Sequence, residues 1–267
     1  MRLQDKVIII TGSTTGIGKA IALRCVAEGA RVVITGLEEA WGKEVLAALG
    51  NENAVLHIED ITNEGAEERL VALAVKTFGK LDAVVNNAAL IASSNIHTTD
   101  KAFLQRLLEV NTIAPFILIK TALPYLSQQH GCVLNIGSVN AYSGEPDLFA
   151  YSVSKGALMT MTRNLGDTLH RENGVRINQI NPGWVLTETE VQRKREHGLS
   201  DDWYKDLPAV YAPAGRILKP SEIAAAAVYW LADESGPISG QVVDLEQHPF
   251  IGRNPPKDSS TINVHKK

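Results

Sequence analysis

Short apolar runs rich in β-branched residues recur along the chain, separated by longer stretches whose apolar positions return every three or four residues. The runs Lys6–Thr11, Arg31–Thr35, Ala54–Ile58, Ala83–Asn86, Cys132–Ile136, Arg176–Ile180 and Val242–Val243 predict buried strands. Helical spacing fills the intervals around Gly16–Glu28, Glu38–Leu49, Asn63–Phe78, Asp100–Gln128, Ala150–Glu172 and Ser221–Leu231. Strict alternation of this kind predicts an α/β fold. Each parallel strand is reached by a crossover, so helices should cover both faces of one parallel sheet. No internal repeat or low-complexity linker divides the chain, and residues 1–248 read as one domain. One segment breaks the rhythm. Glu188–Lys219 is polar, carries Trp203 and Tyr204, contains prolines and lacks a strand. It reads as a substrate lid over about 188–219, or as a solvated surface helix.

Composition narrows the class. With 267 residues and 45% hydrophobic side chains, the chain can bury a large core. The net charge is −4, and no basic block precedes Lys266 and Lys267, so no nucleic-acid partner is expected. Cys25 and Cys132 lie in apolar contexts and read as buried free thiols of a reducing compartment. No signal-peptide pattern precedes the first strand, and no apolar run approaches the ~20 residues of a membrane span, so a cytoplasmic protein with no membrane partner is expected. His57, His97, His130, His170 and His197 show no metal-ligand spacing, and no metal is expected.

Two clusters carry candidate chemistry. The first strand runs into Gly12-Ser-Thr-Thr-Gly16-Ile-Gly18 and then into a helix, the setting in which N–H groups at a helix N-terminus receive a diphosphate. The second is Tyr151 and Lys155 in YSVSK, one helical turn apart on one face, with Ser138 ending the run CVLNIGS. A phenol ionises near pH ~10. A neighbouring ammonium favours the phenolate, so Lys155 is expected to lower the value for Tyr151. Ser138 can donate to a carbonyl or alkoxide oxygen. Together the three read as an acid/base site at a carbon–oxygen bond.

The glycine loop, Asn86-Asn87-Ala88-Ala89, Asn111, Ser138, Tyr151, Lys155 and Pro182-Gly183, in this order and spacing over roughly the first 245 residues, resemble the short-chain dehydrogenase/reductase family in its short single-domain branch. The resemblance implies a Rossmann-type doubly wound parallel sheet of about seven strands, a nicotinamide dinucleotide and a catalytic tetrad. Asn111 matches the asparagine that holds a proton-relay water, Ser138 the serine that polarises the substrate oxygen, Tyr151 the acid/base, and Lys155 the residue that tunes it and grips the nicotinamide ribose. Gly12, Ser13, Thr15, Gly16, Ile17 and Gly18 match the diphosphate loop. Gly36 and Leu37 fall at the adenosine ribose, Asp60 and Ile61 at the adenine, and Asn87 beside the cofactor. Pro182, Gly183, Val185 and Thr187 match the segment that meets the nicotinamide amide.

The chain departs from the family in three places. Ala89 stands where the NNAG turn has its last glycine. Neither the aspartate of typical NAD users nor the arginine of typical NADP users follows the second strand, where Gly36, Leu37, Glu38 and Glu39 stand instead. Two glutamates without a guanidinium disfavour a 2′-phosphate, so NAD is favoured and NADP is not excluded. Glu38 and Glu39 equally suit the positive end of their own helix. Finally, Val243-Asp244-Leu245-Glu246-Gln247 replaces the usual V-D-G-G ending. Beyond it, residues 249–267 read as an extension that is disordered or packs at an interface, with Arg253 a candidate to reach a neighbour's pocket.

The expected activity is reversible oxidation of a secondary alcohol to a ketone by hydride transfer. A sugar or polyol is the leading small-molecule substrate, on the polarity of the lid alone. Trp184 and Asn140 are candidate pocket residues, or a packed indole and a turn amide. An NADPH-dependent ketoacyl reductase shares every catalytic residue, and a dinucleotide-sensing regulator shares the fold. The middle of Ala150–Glu172 is poor in charge and is expected to pack against a twin in a homotetramer or homodimer.

Overall fold

The computed structural model describes residues 1–142 and 144–248. The predicted extension at 249–267, with Arg253, lies outside the described residues. All seven apolar runs form strands: β1 Val7–Ile10, β2 Arg31–Gly36, β3 Ala54–Ile58, β4 Ala83–Asn86, β5 Cys132–Ile136, β6 Arg176–Pro182 and β7 Val242–Leu245. They make one parallel sheet in the order β3-β2-β1-β4-β5-β6-β7. The helices are α1 Gly16–Ala27, α2 Glu39–Leu49, α3 Ala66–Phe78, α4 Lys101–Leu108, α5 Ala114–Gln128, α6 Phe149–Asn173, α7 Glu188–Glu196 and α8 Pro220–Leu231.

Both faces of the sheet are covered, which is why its strands read as unbroken apolar runs. Successive side chains of β1 go to opposite layers. Ile8 and Ile10 pack with Ile21 and Cys25 of α1, Val45 of α2 and Val228 of α8. Val7 and Ile9 pack with Leu70 and Ala74 of α3 and with Leu118 and Ala122 of α5. Both cysteines are buried free thiols.

A chain of buried amides and one hydroxyl crosses the sheet near the strand ends. Asn86 donates to Asn135 (2.8 Å), Asn135 to Thr162 of α6 (2.8 Å), Thr162 to Gln179 (2.8 Å), and Gln179 to Asn181 (2.7 Å). Every polar side-chain atom that this chain uses is answered, as burial demands.

Two expectations change. The single helix read over Asp100–Gln128 is interrupted by a π-helical turn at Glu109–Ile113, which holds Asn111. The stretch Lys101–Gln128 is also long and apolar enough, by length and composition, to cross a membrane. Leu118, Ile119, Ala122 and Leu126 bury that apolar face against the sheet, so the pattern serves the core.

Strand order reverses between β1 and β4, and at such a point the strand C-termini leave a crevice. Gly12, Asn87, Ser138 and Gly183 all follow strand ends on that edge.

Candidate active site

The glycine loop leaves β1 and turns into α1. Gly16 has φ +55°, a left-handed conformation that favours glycine, and it opens the helix. A Cβ on Gly18 would collide with the Gly12 carbonyl oxygen, so glycine there lets helix and loop meet. Asn87 locks the loop from the side, its Nδ2 donating to the carbonyls of Thr11 (2.9 Å) and Gly12 (2.8 Å). Gly12, Thr15, Gly16, Ile17 and Asn87 line a cavity of about 970 Å³ that runs over the crevice. Ser13 and Gly18 do not line it. Ser13 points inward, donating to the Ile10 carbonyl (2.6 Å) and accepting from the Thr35 N–H (3.0 Å), so it ties β1 to β2.

Gly36, Leu37, Asp60 and Ile61 line one end of the same cavity. Thr14 donates to Glu38 (3.3 Å) and so fixes a carboxylate at the end of β2. Asp60 accepts from Thr62 N–H (2.9 Å) and pairs with Arg106 (2.8 Å), the basic side chain at this end. Pro182, Gly183, Val185 and Thr187 line the opposite wall. The glycine turn, the positive end of α1 and the size of the cavity fit a dinucleotide.

Ser138, Tyr151 and Lys155 meet in the middle. The Ser138 side chain lies close enough to the Tyr151 hydroxyl to favour its phenolate, and the Ser138 backbone N–H donates to Asn181 (3.1 Å). Lys155 Nζ lies 5.8 Å from the Tyr151 ring centroid and donates to the Ile136 carbonyl (2.8 Å). The protonation balance differs from the expectation drawn from spacing. Burial pushes Tyr151 up to about 12, with the neighbouring Ser138 side chain and the Arg193 charge opposing it. Burial also pulls Lys155 down to about 7. Desolvation, which disfavours the charged form of each group, is the largest cause of both shifts. Asn111 lies beneath the cavity rather than on its wall. Its side chain accepts from Leu90 N–H (2.8 Å) and donates to the Leu90 carbonyl (3.0 Å) and Ser154 Oγ (2.9 Å).

Trp184 and Asn140 both line the cavity, joined by Glu145, Glu190, Arg193, Tyr211 and Glu246, which the sequence alone did not single out. Segment 188–219 forms one side of it. Trp184 stacks on Trp203 at 5.0 Å, Lys194 Nζ lies 5.1 Å from the Trp184 ring centroid, and the Trp184 indole donates to Glu190 (2.8 Å). Trp203, Ala212 and Ile217 form a small core of their own with Trp184 and Leu207. Removing its largest member, Trp203→Ala, should cost about 3 kcal/mol locally. Amide hydrogen exchange in 188–196 should accelerate while the central strands keep their protection; equal acceleration throughout would refute a separate unit. Among the described residues, no group of three or more His, Cys, Asp or Glu side chains is placed to hold a metal ion.

The chain is similar to known proteins over most of its length. A family model described as enoyl-(acyl carrier protein) reductase matches residues 12–246. An uncharacterized oxidoreductase of Thermotoga maritima is 33% identical over 250 residues, covering 92% of this chain and 98% of that protein. An L-fucose dehydrogenase of Rattus norvegicus is 35% identical over 264 residues, covering 98% of this chain and 95% of its own length. A solved structure described as a short chain dehydrogenase/reductase family protein aligns with a TM-score of 0.80 at 28% identity, covering 92% of this chain and 97% of the other.

Proposed function

The chain belongs to the short-chain dehydrogenase/reductase family, an NAD(P)-dependent oxidoreductase acting on a small molecule, and from that premise we propose that it interconverts a secondary alcohol and a ketone with NAD, on a sugar or polyol. The meeting of Ser138, Tyr151 and Lys155 beside a dinucleotide-sized cavity carries this reading.

When bound, the nicotinamide supplies or accepts the hydride. Gly12, Thr15, Gly16 and Ile17 would hold the diphosphate; Pro182, Gly183, Val185 and Thr187 would hold the nicotinamide end. Tyr151 exchanges the proton of the substrate oxygen, and Ser138 donates to that oxygen while it carries charge. A tyrosine held near 12 is protonated at neutral pH, the form that gives its proton to a ketone. Burial lowers Lys155 to about 7, which eases release of its proton towards Tyr151. Asn111 braces the Leu90 loop and Ser154 beneath Tyr151.

NAD is favoured because Thr14 fixes Glu38 at the ribose end and Asp60 already occupies Arg106. A 2′-phosphate beside that carboxylate would lose at least about 1.4 kcal/mol, so kcat/KM with NAD should exceed that with NADP by about tenfold or more. Steady-state assays with the two cofactors side by side check this, and equal or reversed values would remove the preference.

The sugar or polyol reading rests on the substrate wall. Flat faces at Trp184 and Tyr211 suit the C–H face of a ring, and Asn140, Glu145 and Glu246 offer acceptors to hydroxyls. A panel of neutral sugars, polyols, steroid alcohols and ketoacyl thioesters tests it, L-fucose included. Faster turnover of a ketoacyl thioester with NADPH would replace it by the reductase reading. Ile113, Phe116, Phe149 and Val153 are exposed near the starts of α5 and α6, which supports assembly into a dimer or tetramer.

A further inference from the structure

The N-terminus of α1 already holds an anion, and it comes from the chain itself. Among the described residues, the N-cap Thr15 makes no side-chain capping bond, and the first turn of α1 carries no acidic residue. The positive end of the helix is served instead by Glu188, the first residue of α7. Its Oε2 accepts from the Gly16 N–H (3.1 Å) and from Thr15 Oγ1 (3.3 Å), and its Oε1 lies 3.7 Å from Lys19 Nζ. Burial alone would push this carboxyl up. The N–H groups of its own residue and of Gly16, with Lys19 and Thr15, outweigh that and hold it below the ordinary value. The group is therefore a carboxylate at neutral pH.

A diphosphate received at the glycine loop needs the same donors. The Gly16 N–H cannot serve both, and two anions at one helix end repel. We infer that Glu188 is an internal competitor for the cofactor diphosphate, and that cofactor entry displaces it and releases α7 from the glycine loop. The inference rests on the reading that this loop takes the diphosphate. It ties cofactor binding to the substrate wall, because α7 also carries Glu190, Arg193 and Lys194. Part of the cofactor's affinity is therefore used to expel Glu188.

The test measures dissociation constants for NAD+, ADP and adenosine by calorimetry with the wild-type chain, Glu188→Ala and Glu188→Gln. Removing the competitor should tighten NAD+ and ADP about fivefold in Glu188→Ala, with a smaller gain in Glu188→Gln, and leave adenosine unchanged. Unchanged or weaker ADP binding in both variants overturns the inference. If the wild-type chain binds ADP no better than adenosine, the loop assignment itself fails, which is a separate outcome. Tryptophan emission reports α7, since Lys194 lies over Trp184 (5.1 Å) and Trp203 (5.9 Å). ADP should shift emission of the wild-type chain, and Glu188→Ala should show the shifted spectrum without nucleotide. An unshifted spectrum in both cases refutes the release of α7.

Discussion

Replacing Tyr151 by Phe should lower kcat about a thousandfold or more while the dissociation constant for NAD+ stays within about twofold. The ring of Tyr151 is almost fully buried, so Phe preserves its packing and removes only the hydroxyl. That hydroxyl lies beside Ser138 and is the proposed proton carrier. Proton transfer by a placed group contributes about 10²–10⁴-fold, and what cofactor and positioning supply would remain as residual activity. Stopped-flow single turnovers separate the chemical step from cofactor release. A variant retaining a tenth of wild-type activity would move the acid/base role elsewhere.

Lys155→Met should lower kcat by about a hundredfold or more and, below neutral pH, should stabilise the fold. The sign follows from the direction of the shift. Lys155 is 2% exposed, and burial lowers it from the ordinary lysine value of 10.5 to about 7. Between those values the unfolded chain binds a proton that the folded chain does not, so the stability of the wild-type protein rises with pH across that window. The cost of burying the ammonium is fully felt below pH 7, shrinks steadily above it and is gone near 10.5. Methionine fills similar space without that cost. It does forfeit the bond to the Ile136 carbonyl, worth about 1 kcal/mol at every pH. Thermal unfolding of both proteins from pH 6 to 10 should show the variant gaining at the acid end and the gap closing towards the alkaline end. A gap independent of pH would mean that Lys155 keeps an ordinary affinity for its proton.

How legible the site was depended on how local its contacts are. The glycine turn, YSVSK and the strand ends are contiguous stretches, and the structure gathers them at one edge of the sheet because parallel strands all finish there. The strands themselves were readable because both faces are covered and their apolar runs are unbroken. Glu188 was not legible: its bond to Gly16 spans 172 positions and depends on where α7 begins. Ser13 sits within the glycine motif yet faces the core, a choice of side that spacing cannot express. The π turn was hidden for another reason. Over the five residues Glu109–Ile113 its periodicity hardly differs from that of an α-helix, so only its hydrogen bonds reveal it. The direction of the Tyr151 shift also escaped the sequence, since it turns on depth of burial and not on distance along the chain.

A sheet apolar on both sides has a weakness, because sliding one strand by a single residue still exchanges one greasy side chain for another. The row from Asn86 through Asn135, Thr162 and Gln179 to Asn181 removes that degeneracy. A slipped β5 would strand several amides at once, each at about 1–3 kcal/mol. Alignment of the strands is thereby enforced by hydrogen bonding where greasiness is indifferent, and Ser138, two residues beyond β5, inherits its place opposite Tyr151 from that alignment.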